Sequence, residues 1–314
     1  FQEALKAGKI TAEFPIYYCE KCNKETVYAR CEVCDNLTLK KFYCYKCGLT
    51  SNDKCHPGVS SYKRREIDIK AFFNEALRKI GTKEYPELIK GVRGTSNKDH
   101  TPEHLVKGIL RAKHSVYVNK DGTTRYDMTE MPLTHFKPIE IGTNVKKLKE
   151  LGYTKDIYGG ELVNEDQILE LMMQDVILPS SDESLDEGAA DVLYRIASFI
   201  DDALVKLYGE KPYYNLKDKS DLVGHLIVGL APHISAGIVG RIIGFSNTQG
   251  FFAHPCFHSS LRRDCDGDEA AIMLLMDTLL NFSRKYLPAH RGATQDAPLV
   301  LSSRIIPREV DNMV

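Results

Sequence analysis

Asp264-Cys265-Asp266-Gly267-Asp268-Glu269 places four carboxylates within six residues. Near a protein surface two like charges about 4 Å apart repel by about 4 kcal/mol, so alternate aspartates call for a positive partner. Hard divalent cations such as magnesium choose oxygen ligands, commonly one or two carboxylates completed by substrate phosphates and water. Gly267 would let the backbone turn and aim the carboxylates on either side of it at one point. The competing reading is a solvated acidic turn opening the apolar helix expected after it, where acids favour the first turn. An EF-hand loop does not fit, because counting from Asp264 its sixth and twelfth positions are Glu269 and Leu275 instead of Gly and Glu. An aspartyl-phosphate nucleophile would follow an apolar strand, whereas Leu261-Arg262-Arg263 puts cations just before the acids. Arg262 and Arg263 suit phosphate oxygens that a metal does not reach, with ordinary surface or structural pairing as the alternative.

A second chemistry is written near the start. Of nine cysteines, seven lie between Cys19 and Cys55, as the chelating pairs Cys19-x-x-Cys22, Cys31-x-x-Cys34 and Cys44-x-x-Cys47, followed by Cys55-His56. Two thiolates from one tight turn reach a single tetrahedral zinc, and two such turns complete its shell. A disulfide framework would be out of place in a chain with no secretory leader pattern. One or two structural zinc ions are expected. Sequential grouping (Cys19, Cys22, Cys31, Cys34; then Cys44, Cys47, Cys55, His56) and interleaved grouping both satisfy the spacing. His254 and His258, four apart beside the acids, are candidates to orient substrate or ligate metal, against the commoner role of histidines satisfied in packing. Cys256 and Cys265 read as small hydrophobes.

The chain has 314 residues, 43% of them hydrophobic, and a formal net charge of −1, enough for two or three units with cores of their own. The balance is asymmetric: residues 1–150 carry 28 Lys and Arg against 19 Asp and Glu, and residues 151–314 carry 14 against 24. A basic half can attract a polyanion, and an acidic half can hold cations or face a partner. No run of about 20 apolar residues is present, Pro232, two histidines and Arg241 interrupting the best stretch, so a soluble, cytoplasmic protein is expected. A start at Phe1 reads as a segment of a longer polypeptide.

The elements that must position these groups follow from pattern. Residues 1–66 read as a zinc-binding module. Asp68 reads as the N-cap of a helix over 69–80 stopped at Gly81, and Thr101-Pro102 as the opening of another toward Lys113. Residues 115–118 and 123–126 flank Asn119-Lys120-Asp121-Gly122 as a β-hairpin, making 67–160 a mixed α/β region. Residues 161–250 read as helical: Asn164-x-x-Gln167 and Ser184-x-x-Glu187 look like capping boxes, the second opening a helix that ends at Gly209, and 220–230 follows as a helix. Residues 235–244 are a glycine-punctuated apolar segment fit for close packing. Residues 251–314 hold the aspartates, a helical face over 268–286, and a strand over 299–306.

Residues His225 to Pro232, with Ser235-Ala236-Gly237-Ile238-Val239-Gly240-Arg241-Ile242-Ile243-Gly244-Phe245, resemble the large subunit of the archaeal family D DNA polymerase. So do His254-Pro255-Cys256-Phe257-His258, Arg262 through Glu269, Leu279-Leu280-Asn281-Phe282-Ser283-Arg284, Lys107 through His114, and Pro132-Leu133-Thr134-His135-Phe136. The likeness runs from Tyr17 onward. It implies an α+β fold in which a zinc-ribbon-like module accompanies double-psi β-barrel core elements and surrounding helices. It also implies that Asp266 and Asp268 hold catalytic magnesium, two ions serving transfer of dNTPs to a primer 3′-hydroxyl. Implied partners are primer–template DNA, a small proofreading subunit and a sliding clamp. Two departures stand out. Asp264 occupies a position that is often asparagine in relatives, which leaves its contact with metal open. Cys55-His56-Pro57-Gly58 offers glycine where a second cysteine is usual, so that either His56 completes the second zinc shell through its imidazole or that ion has three protein ligands. The family's active centre also draws basic residues from another barrel, expected upstream, so this segment alone should be inactive. The alternatives are a zinc-stabilised nucleic-acid-binding or assembly module without catalysis, and a piece of an RNA polymerase, which lacks the longer matching stretches.

Overall fold

The computed structural model describes residues 2–91, 102–232, 234, 236–283 and 299–310. The start of the expected helix at Thr101, the end of the expected helix beyond residue 283, and Arg284 lie outside the described residues. The chain divides into two compact units, one of Phe1–Gly122, Phe199–Tyr213 and Ser283–Thr294, the other of Thr123–Ser198, Tyr214–Phe282 and Gln295–Val314. The fold is mixed α+β. Among the described residues no helix is long and apolar enough to cross a membrane.

In the first unit, strands Lys9–Pro15 and Tyr62–Asp68 pair antiparallel and bracket the cysteine-rich stretch. Between them lie short strands, Tyr17–Cys19 with Lys24–Thr26 and Leu39–Lys40, and Phe42–Cys44 with Gly48–Thr50. The core there is small, Phe14, Val27 and Tyr28 flanked by Ile10, Ala12, Ile67 and Phe72. Helix Ile69–Ile80 forms as its caps predict: the Asp68 carboxylate accepts the Ala71 N–H at 3.0 Å, and Gly81, at φ 78°, donates to the Leu77 and Arg78 carbonyls.

The next helix begins later than its proline, at Leu105, because His104 caps it by accepting the Val106 N–H at 3.3 Å. Burial pushes the His104 pKa down to about 3, which keeps the ring neutral and able to accept. On this helix Arg111 is fully buried, makes two 2.6 Å bonds to the Glu103 carboxylate, donates to the Gly122 carbonyl at 3.0 Å and lies 5.2 Å over the Phe199 ring. Removing one partner of such a pair strands the other charge, at about 3–5 kcal/mol. Glu103→Ala is therefore expected to strip hydrogen-exchange protection from the amides of Leu105–Lys113 in the full-length protein. Unchanged protection would show that Arg111 finds another partner at little cost.

The second unit is built on a seven-stranded sheet, six strands of which close into a barrel, beside the short pair His135–Phe136 and Leu169–Glu170. In chain order the six are β1 Tyr126–Pro132, β2 Asp175–Pro179, β3 Leu226–Leu230, β4 Ala236–Ser246, β5 Phe251–Ala253 and β6 Glu269–Leu274. Around the ring β2 pairs antiparallel with β5, β5 parallel with β1, β1 antiparallel with β6, β6 and then β3 antiparallel with the next, and β4 parallel with β2. Val300–Ser302 adds parallel to β4. One core, including Phe136, Leu148, Tyr153, Leu169, Ile177 and Ile243, packs on β2 and β4; another joins Val228, Leu230, Ala271 and Met273.

Three expectations are corrected. The turn at Asn119–Gly122 forms, Gly122 donating to the Asn119 carbonyl at 3.0 Å, but residues 116–119 and 123–125 are not strands. Tyr126, where β1 begins, pairs instead with Ile272 of β6. Residues 161–250 are not a helical region: they contain β2, β3 and β4, and the expected helix over 220–230 is a 3-10 turn, Lys219–Leu222, followed by β3. The helix there, Ala189–Ala203, continues as a π-turn to Tyr208 and ends at Gly209, while Ser184 instead closes a turn on the Asp186 N–H. After the aspartates comes β6, not a helix; helix Leu275–Asn281 starts only beyond it.

The glycines of β3 and β4 make room for one ring. A Cβ on Gly229 or Gly240 would stand 2.8 Å or 3.1 Å from Phe257, so the short helix Pro255–Ser260 seats against the barrel through that side chain.

Candidate metal centres

The acidic loop runs from the helix Pro255–Ser260 into β6. Arg262 at φ 61°, Cys265 at φ 65° and Gly267 at φ 102° are left-handed, so the chain coils tightly there, at about 1–2 kcal/mol for each of the two non-glycine residues. The Arg263 N–H donates to the His258 carbonyl at 3.1 Å, tying the loop to the helix, and the Glu130 N–H donates to the Asp268 carbonyl at 2.9 Å, tying it to β1.

That second tie brings in a residue the motifs do not contain. Along β1, Met128 and Glu130 are buried while Asp127, Thr129 and Met131 are exposed, the period-two pattern of a half-buried strand. Glu130 thus sits on the inward face. Ligand oxygens of Glu130, Asp266 and Asp268 all lie within 4.8 Å of one another. Octahedral magnesium, with oxygens at about 2.0–2.1 Å, needs spacings of about 2.9 Å between adjacent ligands and about 4.2 Å between opposite ones. Small side-chain adjustments reach that range, and the donor set is hard oxygen throughout, so these residues fit a divalent cation.

Asp264 is exposed and stands outside this group. Arg263 Nη1 lies 3.3 Å from Asp268 Oδ2, so it pairs with a candidate ligand, while Arg262 is exposed. His254 is not brought to the acids: its Nδ1 caps the short helix by accepting the Cys256 N–H at 3.1 Å. His258 is fully buried, with Nε2 3.2 Å from the Met131 carbonyl and Nδ1 3.2 Å from Glu130 Oε2. Burial pushes its pKa down to about 4 although the Met131 carbonyl pulls the other way, so the ring is neutral at neutral pH. The Glu130 pKa is raised, first by burial and then by Asp268 and Asp266, against the Cys265 N–H and Arg263, which lower it. Cys256 and Cys265 are half-buried and join no cluster.

The cysteines converge in two groups taken in sequence order: Cys19, Cys22, Cys31 and Cys34, then Cys44, Cys47, Cys55 and His56. The interleaved alternative is not the arrangement found. Cys19 and Cys34 sulfurs are 3.4 Å apart, and those of Cys22 and Cys31 are 3.9 Å apart. Zn–S bonds of about 2.3 Å in a tetrahedron require about 3.8 Å, so the first group fits zinc. In the second, His56 Nδ1 lies 3.4 Å from both Cys44 and Cys47 sulfurs. The residue after each Cys-x-x-Cys, namely Asn23, Asp35 and Gly48, has positive φ (51°, 62° and 77°), and these are the residue types that tolerate it.

Backbone N–H groups favour one thiolate in each group. Burial raises Cys34 and Cys44, but backbone N–H groups of Asn36 for the first, and of Cys47 and Lys46 for the second, with neighbouring sulfurs, pull them down to about 7 and about 6. Cys22 is pushed up to about 12, chiefly by Cys34 and burial, and Cys55 to about 11 by burial and Cys44.

Comparison with known proteins shows the family. Residues 81–314 match the family described as "DNA polymerase II large subunit DP2, catalytic domain". The DNA polymerase II large subunit of Archaeoglobus fulgidus is 50% identical over 313 residues, 98% of this chain and 27% of that protein; that of Methanosarcina barkeri is 49% identical, covering 98% and 26%. The Pyrococcus furiosus large subunit is 46% identical over 325 residues, 100% of this chain and 25% of its own length. The chain therefore spans about a quarter of the length of the curated relatives it matches. With the catalytic-domain match covering most of the residues, the chain belongs to the DNA polymerase II large subunit family, the large subunit of family D polymerase.

Proposed function

We propose that this chain is the catalytic segment of a replicative DNA-directed DNA polymerase, joining dNTPs to a primer 3′-hydroxyl. The observation that carries this is the convergence of Asp266 and Asp268, from a loop entering a closed barrel, on one point with hard oxygen ligands alone. Magnesium held there, two ions in the expected scheme, would make the primer hydroxyl a better nucleophile and offset the charge on the leaving pyrophosphate. Asp266 and Asp268 would hold and orient the cation. Arg263 positions Asp268 through their 3.3 Å contact, and Arg262, which is exposed, is read as a contact to a phosphate oxygen. The barrel is read as the double-psi kind, supported by its six-strand closure with both parallel and antiparallel pairings. The two cysteine groups hold structural zinc, replacing an apolar core too small to order residues 17–60.

The basic balance of residues 1–150 favours a second reading, in which the chain is a zinc-stabilised nucleic-acid-binding or assembly module and the acids are inert. Primer–template DNA, dNTPs, a small proofreading subunit and a sliding clamp are the partners of the first reading. It also has the segment inactive alone, with further catalytic residues elsewhere in the polymerase. The test is magnesium-dependent primer extension by the full-length polymerase carrying Asp266→Asn or Asp268→Asn. Extension lost with primed-DNA binding kept supports catalysis at these residues. Undiminished extension leaves the segment as a binding scaffold.

A further inference from the structure

We infer that Glu130 is a third carboxylate ligand of the divalent cation, anchoring it to the barrel wall. This rests on the reading of Asp266 and Asp268 as cation ligands, and it adds a residue from a different element, far away in sequence.

The argument starts from burial. Glu130 has no solvent exposure, and apart from the pull of the Cys265 N–H neither of its carboxylate oxygens has a well-formed hydrogen bond among the described residues. His258 Nδ1 approaches Oε2 at 3.2 Å outside hydrogen-bond geometry, and the neutral ring offers no charge. A buried carboxylate left so is not viable as an anion without a positive partner, either a proton or a cation. Among the described residues the only arginine acting on it, Arg263, is already in contact with Asp268.

Geometry chooses between proton and cation. The Glu130 carboxylate is aimed at Asp266 and Asp268, all three within 4.8 Å, and the 2.9 Å bond from its own N–H to the Asp268 carbonyl fixes that spacing through the backbone. A proton on Glu130 neutralises one acid and leaves two facing each other. A hard divalent ion answers all three. The division of labour is also physical: Asp266 and Asp268 sit on a tightly coiled loop, whereas Glu130 sits on β1, paired on both sides by β5 and β6. A ligand on a strand paired on both sides holds the ion before DNA or nucleotide arrives.

The test is manganese binding to the full-length large subunit without DNA or nucleotide, read from the electron paramagnetic resonance of free Mn²⁺. The thiolate groups prefer softer metals and do not compete. Glu130→Gln is expected to weaken binding at this site at least about tenfold, the smallest loss typical even of groups that only support a ligand. Asp268→Asn should do the same. If E130Q binds manganese like the wild type while D268N does not, Glu130 is not a ligand and is instead a protonated partner of His258, a role the Gln amide preserves. If neither variant changes binding, the cation reading of the aspartates itself fails. Should E130Q lose its fold, judged by circular dichroism and zinc content, E130D decides: it keeps the charge and shortens the reach. Weakened binding supports the ligand role and unchanged affinity overturns it.

Discussion

Alanine at Asp266 or Asp268 is expected to slow magnesium-dependent primer extension by the full-length polymerase about a thousandfold, while primed-DNA affinity changes by less than about threefold. A thousandfold corresponds to about 4 kcal/mol of transition-state stabilisation, the scale of one preorganised electrostatic group at a reacting centre. The double variant should be little worse than either single one, because groups that hold one ion act as a unit and their losses do not add. Affinity for DNA survives because it comes from cations on phosphates, to which these acids contribute only repulsion. The sharpest contrast lies within the same hexapeptide. Asp264→Ala is expected to change extension only a few-fold, since Asp264 is exposed and outside the group that converges with Glu130. Equal losses at all three aspartates would mean that general loop charge, and not ion placement, is what matters.

Local chemistry was legible where one residue type has one use. Asp68 and Gly81 bound their helix as their caps require, and each Cys-x-x-Cys is followed by a residue that accepts positive φ. Strand and helix were confused where burial is continuous. Ala270 to Leu274 are all buried, as are Ile227 to Leu230, because the barrel packs on both faces of β3 and β6. Such a run carries no period-two alternation, and a short apolar run then reads equally well as a helix face. The glycines of β4 pointed correctly to close packing, but what packs there is a strand beneath Phe257 and Ile141.

The site divided in the same way. The pair Asp266 and Asp268 was visible because glycine and repeated acids stand together in sequence. Glu130 was not, being one acid in a polar-looking strand 136 residues before Asp266. Its signal was the alternation: Met128 and Glu130 share a face of Tyr126-Asp127-Met128-Thr129-Glu130-Met131, so a carboxylate falls on the side that methionine marks as buried. His258 was noticed for its spacing from His254, yet the two diverge. One caps a helix and the other enters the core against Glu130, a split that the turn after residue 254 creates.

Zinc makes the second large prediction: two ions per chain, with mild chelation removing the one held by Cys44, Cys47, Cys55 and His56 first. That group is the more open, with Cys47 exposed and only Cys44 buried, whereas Cys19 and Cys31 are both buried in the other. It also presents three thiolates and a neutral imidazole, one negative charge fewer on the ion. His56→Ala should therefore release one zinc of two from the full-length protein at chelator levels the wild type withstands. His56→Cys, restoring a fourth thiolate, should hold it. Proteolysis after release should cut within 42–60 and spare 17–40, because each group orders only the short strands around it. Lower pH works in the same direction. Cys22 and Cys55 hold protons up to about 12 and about 11, and binding must expel them, so affinity falls as pH falls. Elemental analysis after dialysis decides the matter: a single zinc in the wild type, or two retained in H56A under the same chelator, would remove His56 from the ligand shell.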